Sequence, residues 1–300
     1  MDIGKKIKDL RSAKLMTQTE LAGHEITRNM LSRIENGAAL PSIGTVIYLS
    51  ERLGVHPGVL LSDGDDDKVF VKNNLLKNIK RAFLDKNFSL CRDMCLELLG
   101  YGDDDEAFLI MSEATFECAQ MMLLEGNLHK CKKLLDEAIA YSGKTIYNTS
   151  IIYNCAKNLF YHLKQISPSL DSDSIDSHKL DDYIKGIALS NSLCSYLNDL
   201  LAIKENSILG TPGNYNNQSV FSELYKNHVN AKLCMKNGEY GRALDILLDL
   251  INSSEIVPIF IVYLLSIDVE MCAKEIGDFK TAYEYSQNRI SLLESMLSEV

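Results

Sequence analysis

The sequence predicts an all-α protein: a small five-helix head followed by an α-solenoid of helical hairpins. Three observations carry that expectation. Apolar residues recur at helical spacing along nearly the whole chain, and strand alternation is scarce. Thr, Ser and Asn before, and Gly or Pro after, mark helix ends at short intervals. A short pattern also returns at 86–99, 125–139, 236–251 and 275–290. The composition agrees: 46% hydrophobic and 24% charged, with 17 Gly and 5 Pro in 300 residues, exclude collagen-like, Pro-rich and disordered chains.

The head is read in order. Ile3, Ile7, Leu10 and Leu15 share one face, with Lys5, Lys6, Lys8 and Arg11 on the outer arc. Thr17 stands three residues before Glu20, a capping-box spacing that opens a second helix through Leu21 and Ala22. Thr27 opens a third, RNMLSRIE, which Gly37 ends and Pro41 cannot continue. Pro41-Ser42 leads into a fourth, with Ile43, Val46, Ile47, Leu49 and Leu53 expected as its apolar face and Gly54 as its stop. His56-Pro57 begins a short fifth.

Two short helices joined around Gly23-His24-Glu25 make a helix-turn-helix. On the third helix Leu31 and Ile34 face inward, leaving Arg28, Asn29, Ser32 and Arg33 outside. Arg bonds guanine N7 and O6, and Asn bonds adenine N6 and N7. The string TQTELA…ITRNMLSRIENG…P…LSERLGV resembles the helix-turn-helix of phage repressors and of the xenobiotic-response-element (XRE) class, over about residues 3–62. The resemblance implies that Gln18 and Asn36 touch phosphates while Thr27, Arg28, Asn29, Ser32 and Arg33 face the major groove. The turn before Thr27 reads GHEI and keeps the usual small-hydrophobic pattern only in part.

Charge supports this division. Residues 1–62 carry eight basic and six acidic side chains, +2, so the remaining 238 carry −12 of the net −10. A basic head on an acidic body points to a polyanion at the head alone. The run Asp63-Gly64-Asp65-Asp66-Asp67 suggests an acidic linker, 63–72, between a head at 1–62 and a body at 73–300. A calcium loop is excluded, because positions six and twelve counted from Asp63 are Lys68 and Asn74 instead of Gly and Glu.

In the body, each repeated segment has a polar turn, an aromatic or Leu, and a small residue three positions on: Cys91, Cys131, Ala243 and Ala282. Phe88 to Leu128 is 40 residues and Tyr240 to Phe279 is 39; the 112 between leave room for further, degenerate units. Such hairpins cannot bury their apolar faces alone, so copies stack. GEYGRAL and GDFKTAY most clearly resemble tetratricopeptide (TPR) repeats, although the chain has no Trp. The segments 168–177 and 210–219 read as longer loops.

A stacked array presents a concave surface suited to an extended peptide. Head and body together resemble the peptide-pheromone-responsive regulators of the Rgg, PlcR and PrgX type (RRNPP family). The resemblance implies a homodimer on an inverted-repeat operator in double-stranded DNA, cytoplasmic capture of a short signalling oligopeptide, and altered promoter binding. Asn offers a peptide backbone both a carbonyl and an NH₂. Register with the Gly238 turn places His228 and Lys232 on the inner surface, and register with Gly126 places Phe116 and Gln120 there; Asn154, Lys157, Asn191 and Asn198 are further candidates. A constitutive prophage-type repressor, and a regulator whose body docks a partner protein, remain open at this point.

No cofactor, metal or enzymatic activity is expected. The six histidines show no paired-ligand spacing, and neither a nucleophile elbow nor a Walker loop occurs. The eight cysteines, scattered through apolar stretches without CxxC, read as small buried hydrophobes. The N-terminus lacks an apolar signal core and the longest apolar run, Ile256 to Ile267, is too short for a membrane span, so a cytoplasmic location is expected.

Overall fold

The structure, a computed structural model, describes residues 3–62, 66–167, 192–204, 221–253 and 256–298. It is helical throughout, with no strand among the described residues. The chain divides into two compact units, Met1–Asp103 and Asp104–Val300. Asn191 and the loops expected at 168–177 and 210–219 lie outside the described residues, as do Asp63–Asp65 of the acidic run.

The first unit opens with α1 (Ile3–Ala13), α2 (Gln18–Ala22), α3 (Arg28–Glu35), α4 (Ile43–Leu53) and α5 (Pro57–Leu61). The capping box forms as its spacing requires: the Glu20 N–H donates to Thr17 Oγ1 (3.2 Å) and the Thr17 N–H donates to Glu20 Oε2 (2.6 Å). Thr27 and Ser42 cap α3 and α4 by accepting from the Met30 and Thr45 N–H groups. Pro57 sits in the first turn of α5 after the His56 cap. Ile3, Ile7, Leu21, Leu31, Ile34, Val46, Leu49, Leu53 and Leu60 form the shared core. At Gly4 any side chain would collide with the Ile34 carbonyl oxygen, so α1 and α3 approach to backbone contact.

Three expected core positions are on the surface. Leu15 lies beyond the end of α1, in a turn with φ 55, and is exposed. On α4 the buried stripe is Val46, Leu49, Ser50 and Leu53; Ile43, in the first turn ahead of that stripe, and Ile47, at its flank, are exposed. The unit continues with α6 (Asp66–Leu84) and α7 (Phe88–Leu99), which pack on each other. Helix α6 begins inside the run expected to be a linker, where aspartates suit a helix start because the dipole favours negative charge there.

The second unit holds α8 (Asp105–Leu124), α9 (Leu128–Ser142), α10 (Ser150–Ile166), α11 (Ser192–Lys204), α12 (Ser222–Lys236), α13 (Tyr240–Ile251), α14 (Ile259–Ile276) and α15 (Phe279–Leu297). Each packs on the next, and α14 also meets α8 while α15 meets α9, so the last hairpin rests on the first. The His129 Nε2 and Leu297 O contact, 3.1 Å, lies on that seam. By length and composition α8 would cross a membrane, but 61% of its apolar window is buried, as in a core helix.

Four turns share one construction. The N–H groups of Asn87, Asn127, Glu239 and Asp278 reach back to Ala82, Met122, Cys234 and Ala273 carbonyls at 2.8–2.9 Å. The preceding residue is left-handed in each: Lys86 (φ 57), Gly126 (φ 86), Gly238 (φ 80) and Gly277 (φ 82). Asn87, Asn127 and Asp278 then cap the next helix. The small residues expected to admit close packing are all buried: Cys91, Cys131 and Ala243 completely, Ala282 nearly so. Seven of the eight cysteines are buried.

Two of these glycines separate conformational strain from packing. A Cβ on Gly238 meets nothing within 4 Å, whereas one on Gly126 would lie 2.9 Å from Met296 Cγ and 3.0 Å from Ile259 Cγ2. Chemical denaturation should show Gly238→Ala losing about 1–2 kcal/mol from left-handed strain. Gly126→Ala should lose roughly 1–3 kcal/mol more, from overpacking the seam. Equal losses would mean that the seam yields freely.

Candidate functional site

In the head the chemistry starts from one carboxylate. Glu35, at the end of α3, is 5% exposed. It accepts from Arg11 Nε (2.7 Å) on α1, from a second Arg11 nitrogen (3.1 Å) and from Gln18 Nε2 (2.8 Å) on α2. Burial alone would raise its pKa, but the Arg11 and Gln18 hydrogen bonds and the Arg11 and Lys8 charges outweigh it and hold the carboxyl below the usual range. Arg11 also donates to the Met16 carbonyl (2.8 Å), fixing the α1–α2 turn. Tyr48 Oη donates to the Ala22 carbonyl (2.9 Å), tying α2 to α4. The outcome is a rigid α3 whose outer face carries Arg28, Asn29 and Arg33, all exposed and without hydrogen-bond or ion-pair partners among the described residues.

In the second unit, α10, α11, α12 and α14 wall a cavity of about 580 Å³. Its walls are mainly Leu, Ile, Met and aromatic side chains, with a polar cluster on one side. Asp268 on α14 is buried and engages both its oxygens with α12: His228 Nε2 at 2.9 Å and Lys232 Nζ at 2.7 Å. With His228 Nε2–H donating to the carboxylate, its Nδ1 accepts from Tyr196 Oη at 2.6 Å. Tyr196 in turn stacks on Tyr225, ring centroids 4.2 Å apart. Burial pushes the Asp268 carboxyl up, yet the His228 and Lys232 hydrogen bonds and charges prevail and hold it below the ordinary carboxylate range. On α10 and α11, Asn198 Oδ1 accepts from Asn158 Nδ2 (2.8 Å) and His162 Nε2 (3.1 Å). Its own Nδ2 has no partner among the described residues, and neither does the buried Asn158 Oδ1.

Residues 7–60 match the helix-turn-helix family model. The head is a helix-turn-helix domain. No curated protein matches the chain. Among solved structures, Bacillus thuringiensis PlcR in complex with the peptide PapR7 and DNA is 13% identical, covers 99% of both chains and has a TM-score of 0.23. A point mutant of PrgX is 17% identical over 96% of this chain and 99% of that one, TM-score 0.27. The Streptococcus dysgalactiae SHP pheromone receptor Rgg2 is 13% identical over 96% and 98%, TM-score 0.22. At such identities and scores, function has to be argued from this chain's own residues.

Within the helix-turn-helix domain the residues singled out from sequence take different places. Arg28, Asn29 and Arg33 stand clear of the fold, with Ser32 half-buried beside them. Thr27 Oγ1 accepts from the Met30 N–H (3.1 Å), and Asn36 is the exposed C-cap of α3. Gln18 is half-buried and its amide nitrogen is engaged by Glu35. In the second unit, His228 and Lys232 line the cavity, and Asn198 touches it through His162. Phe116, Gln120 and Lys157 are buried outside that lining, and the half-buried Asn154 is outside it too. Lys157 Nζ lies 5.5 Å from the Tyr153 ring centre, its pKa lowered by burial despite Asp136. Sequence reasoning missed Asp268, Tyr196 and His162; the available signal was His228 and Lys232 at i and i+4, a spacing that lets two donors share one acceptor.

Burial lowers the His162 pKa from 6.5 to about 4, against the opposing Asn198 hydrogen bond. The folded chain therefore leaves His162 unprotonated where the unfolded chain takes up a proton. Its effect is a stability complete above about pH 6.5 that falls as pH drops toward 4. Asp268 and Glu35, both lowered, lose their contributions only at more acid pH. Thermal melts should show the midpoint falling between about pH 6.5 and 4.5, and His162→Gln should flatten that slope. An unchanged slope in the variant assigns the titration elsewhere.

Proposed function

We propose that this chain is a DNA-binding transcriptional regulator whose helical body captures a short peptide and so changes promoter binding. In this reading it is a cytoplasmic homodimer with no enzymatic role, residues 1–62 binding DNA and 73–300 serving peptide and dimer. The observation that carries the DNA half is the outer face of α3, where Arg28, Asn29 and Arg33 project unpaired from a helix locked by Glu35. Arg28, Asn29, Ser32 and Arg33, with Thr27 at the helix start, face base edges, while Gln18 and Asn36 lie nearest the phosphates. One eight-residue helix reads few bases. A two-fold pair places two of them about 34–36 Å apart in successive major grooves, which makes the operator an inverted repeat.

The peptide half is supported by the cavity. Its apolar walls suit side chains, and its volume lies within the roughly 300–1,000 Å³ of ligand pockets. Asn198 offers unengaged amide hydrogens beside it for a peptide carbonyl. Peptide shifts DNA binding only insofar as it prefers one arrangement of the dimer to another.

Selection of duplexes from a random pool by the full chain should return an inverted repeat. On the selected site Arg28→Ala should cost about 1–3 kcal/mol and relax one base position, with little change on random DNA. An equal loss on both would make Arg28 a phosphate contact, and a pool without two-fold symmetry would remove the homodimer from the reading.

A further inference from the structure

The cavity is charged in one sense. Among its lining residues are three lysines, Lys204, Lys232 and Lys236, and a single acidic residue, Asp268. That balance runs against the chain as a whole, which carries 41 acidic against 31 basic side chains. Asp268 does not neutralise the excess, because its two oxygens are already engaged by His228 and Lys232. The surplus is Lys204, the last residue of α11, and Lys236, the last residue of α12. Both are exposed, and neither has an ion-pair partner among the described residues. Lysine at a helix C-terminus is ordinarily explained by the helix dipole alone. Here, however, the two helix ends open onto the same cavity, beside the apolar wall of Leu197, Leu201 and Phe260.

We infer that the occupant of this cavity is an apolar peptide that presents a carboxylate to Lys204 and Lys236. The inference rests on the peptide reading above and narrows it to a chemical class. A carboxylate placed there satisfies two otherwise unopposed ammonium groups and leaves the Asp268 network intact. The neighbouring residues of the peptide then fill the Leu and Phe surface. An uncharged or cationic end would leave both lysines unmatched. The carboxylate is supplied either by the peptide's C-terminus or by an acidic side chain.

The test uses the full chain and three pools of synthetic heptapeptides. The first is composed of Leu, Ile, Val, Phe, Gly and Asn as free acids. The second holds the same sequences as C-terminal amides. The third consists of amides in which one position is Glu. Retention is read by native mass spectrometry, and affinities of retained members by calorimetry. The account expects free acids, or the Glu-bearing amides, to bind about three- to tenfold tighter than plain amides. Which of the two does so identifies the source of the carboxylate. In the Lys204→Gln/Lys236→Gln variant that preference should fall to near unity while apolar peptides are still retained. Acids and amides bound equally would overturn the carboxylate inference and leave the peptide reading standing. A preference that survives in the double variant would overturn it as well, placing the carboxylate elsewhere. If no pool is retained, both the inference and the peptide reading fall.

Discussion

The fold depends on a turn that this chain makes four times. A backbone N–H reaches back five residues, from Asn87, Asn127, Glu239 or Asp278, across a residue held at positive φ. That bond closes one helix and positions the next residue to start another, so two helices leave the turn side by side. A hairpin made this way has an apolar face it cannot bury by itself. Cys91, Cys131, Ala243 and Ala282 lie one turn into the second helix and are small enough for the pair to close. In the second unit such pairs stack until α14 and α15 meet α8 and α9. The walls of the cavity are among these stacked helices, so the ligand site is a product of turn geometry repeated, not of any one segment.

Two buried carboxylates then do the same work in different places. Glu35 joins α1, α2 and α3, and Asp268 joins α12 to α14. Each is held ionised against burial by hydrogen-bonded cations or amides, and each lies next to the surface that meets a partner in the proposed function. Such a pair adds little stability over an apolar replacement, yet breaking it strands a charge. Its value is orientation. Glu35 fixes the pose of the helix that carries Arg28 and Asn29, and Asp268 fixes the Lys232 ammonium at the cavity wall.

Much of this was legible because its causes are local. Thr17, Glu20, Thr27 and Ser42 act on backbone groups three residues away, and all four act as their spacing requires. Leu31 and Ile34 are buried while Arg28 and Arg33 are not, since a helix two turns long has one inner face. The small residues after each turn were recognisable for the same reason. What escaped is long-range. Periodicity says that a residue faces something, not what it faces. His228 and Lys232 looked like groove residues; their acceptor, Asp268, lies 40 and 36 positions on. Lys157 and Gln120 carry polar heads yet are buried, and Ile43 and Ile47 are apolar yet exposed. These exceptions are set by neighbouring helices that no local pattern encodes.

The most direct test of the account measures the affinity of the full chain for its selected operator, by fluorescence anisotropy, with and without a saturating peptide retained in its cavity. The account predicts a change in operator affinity of severalfold or more, in either direction, that disappears when Leu201→Arg fills the apolar wall and abolishes peptide binding. An operator affinity unchanged by a peptide shown to be bound would contradict it, leaving a DNA-binding head and a peptide-binding body with no coupling between them.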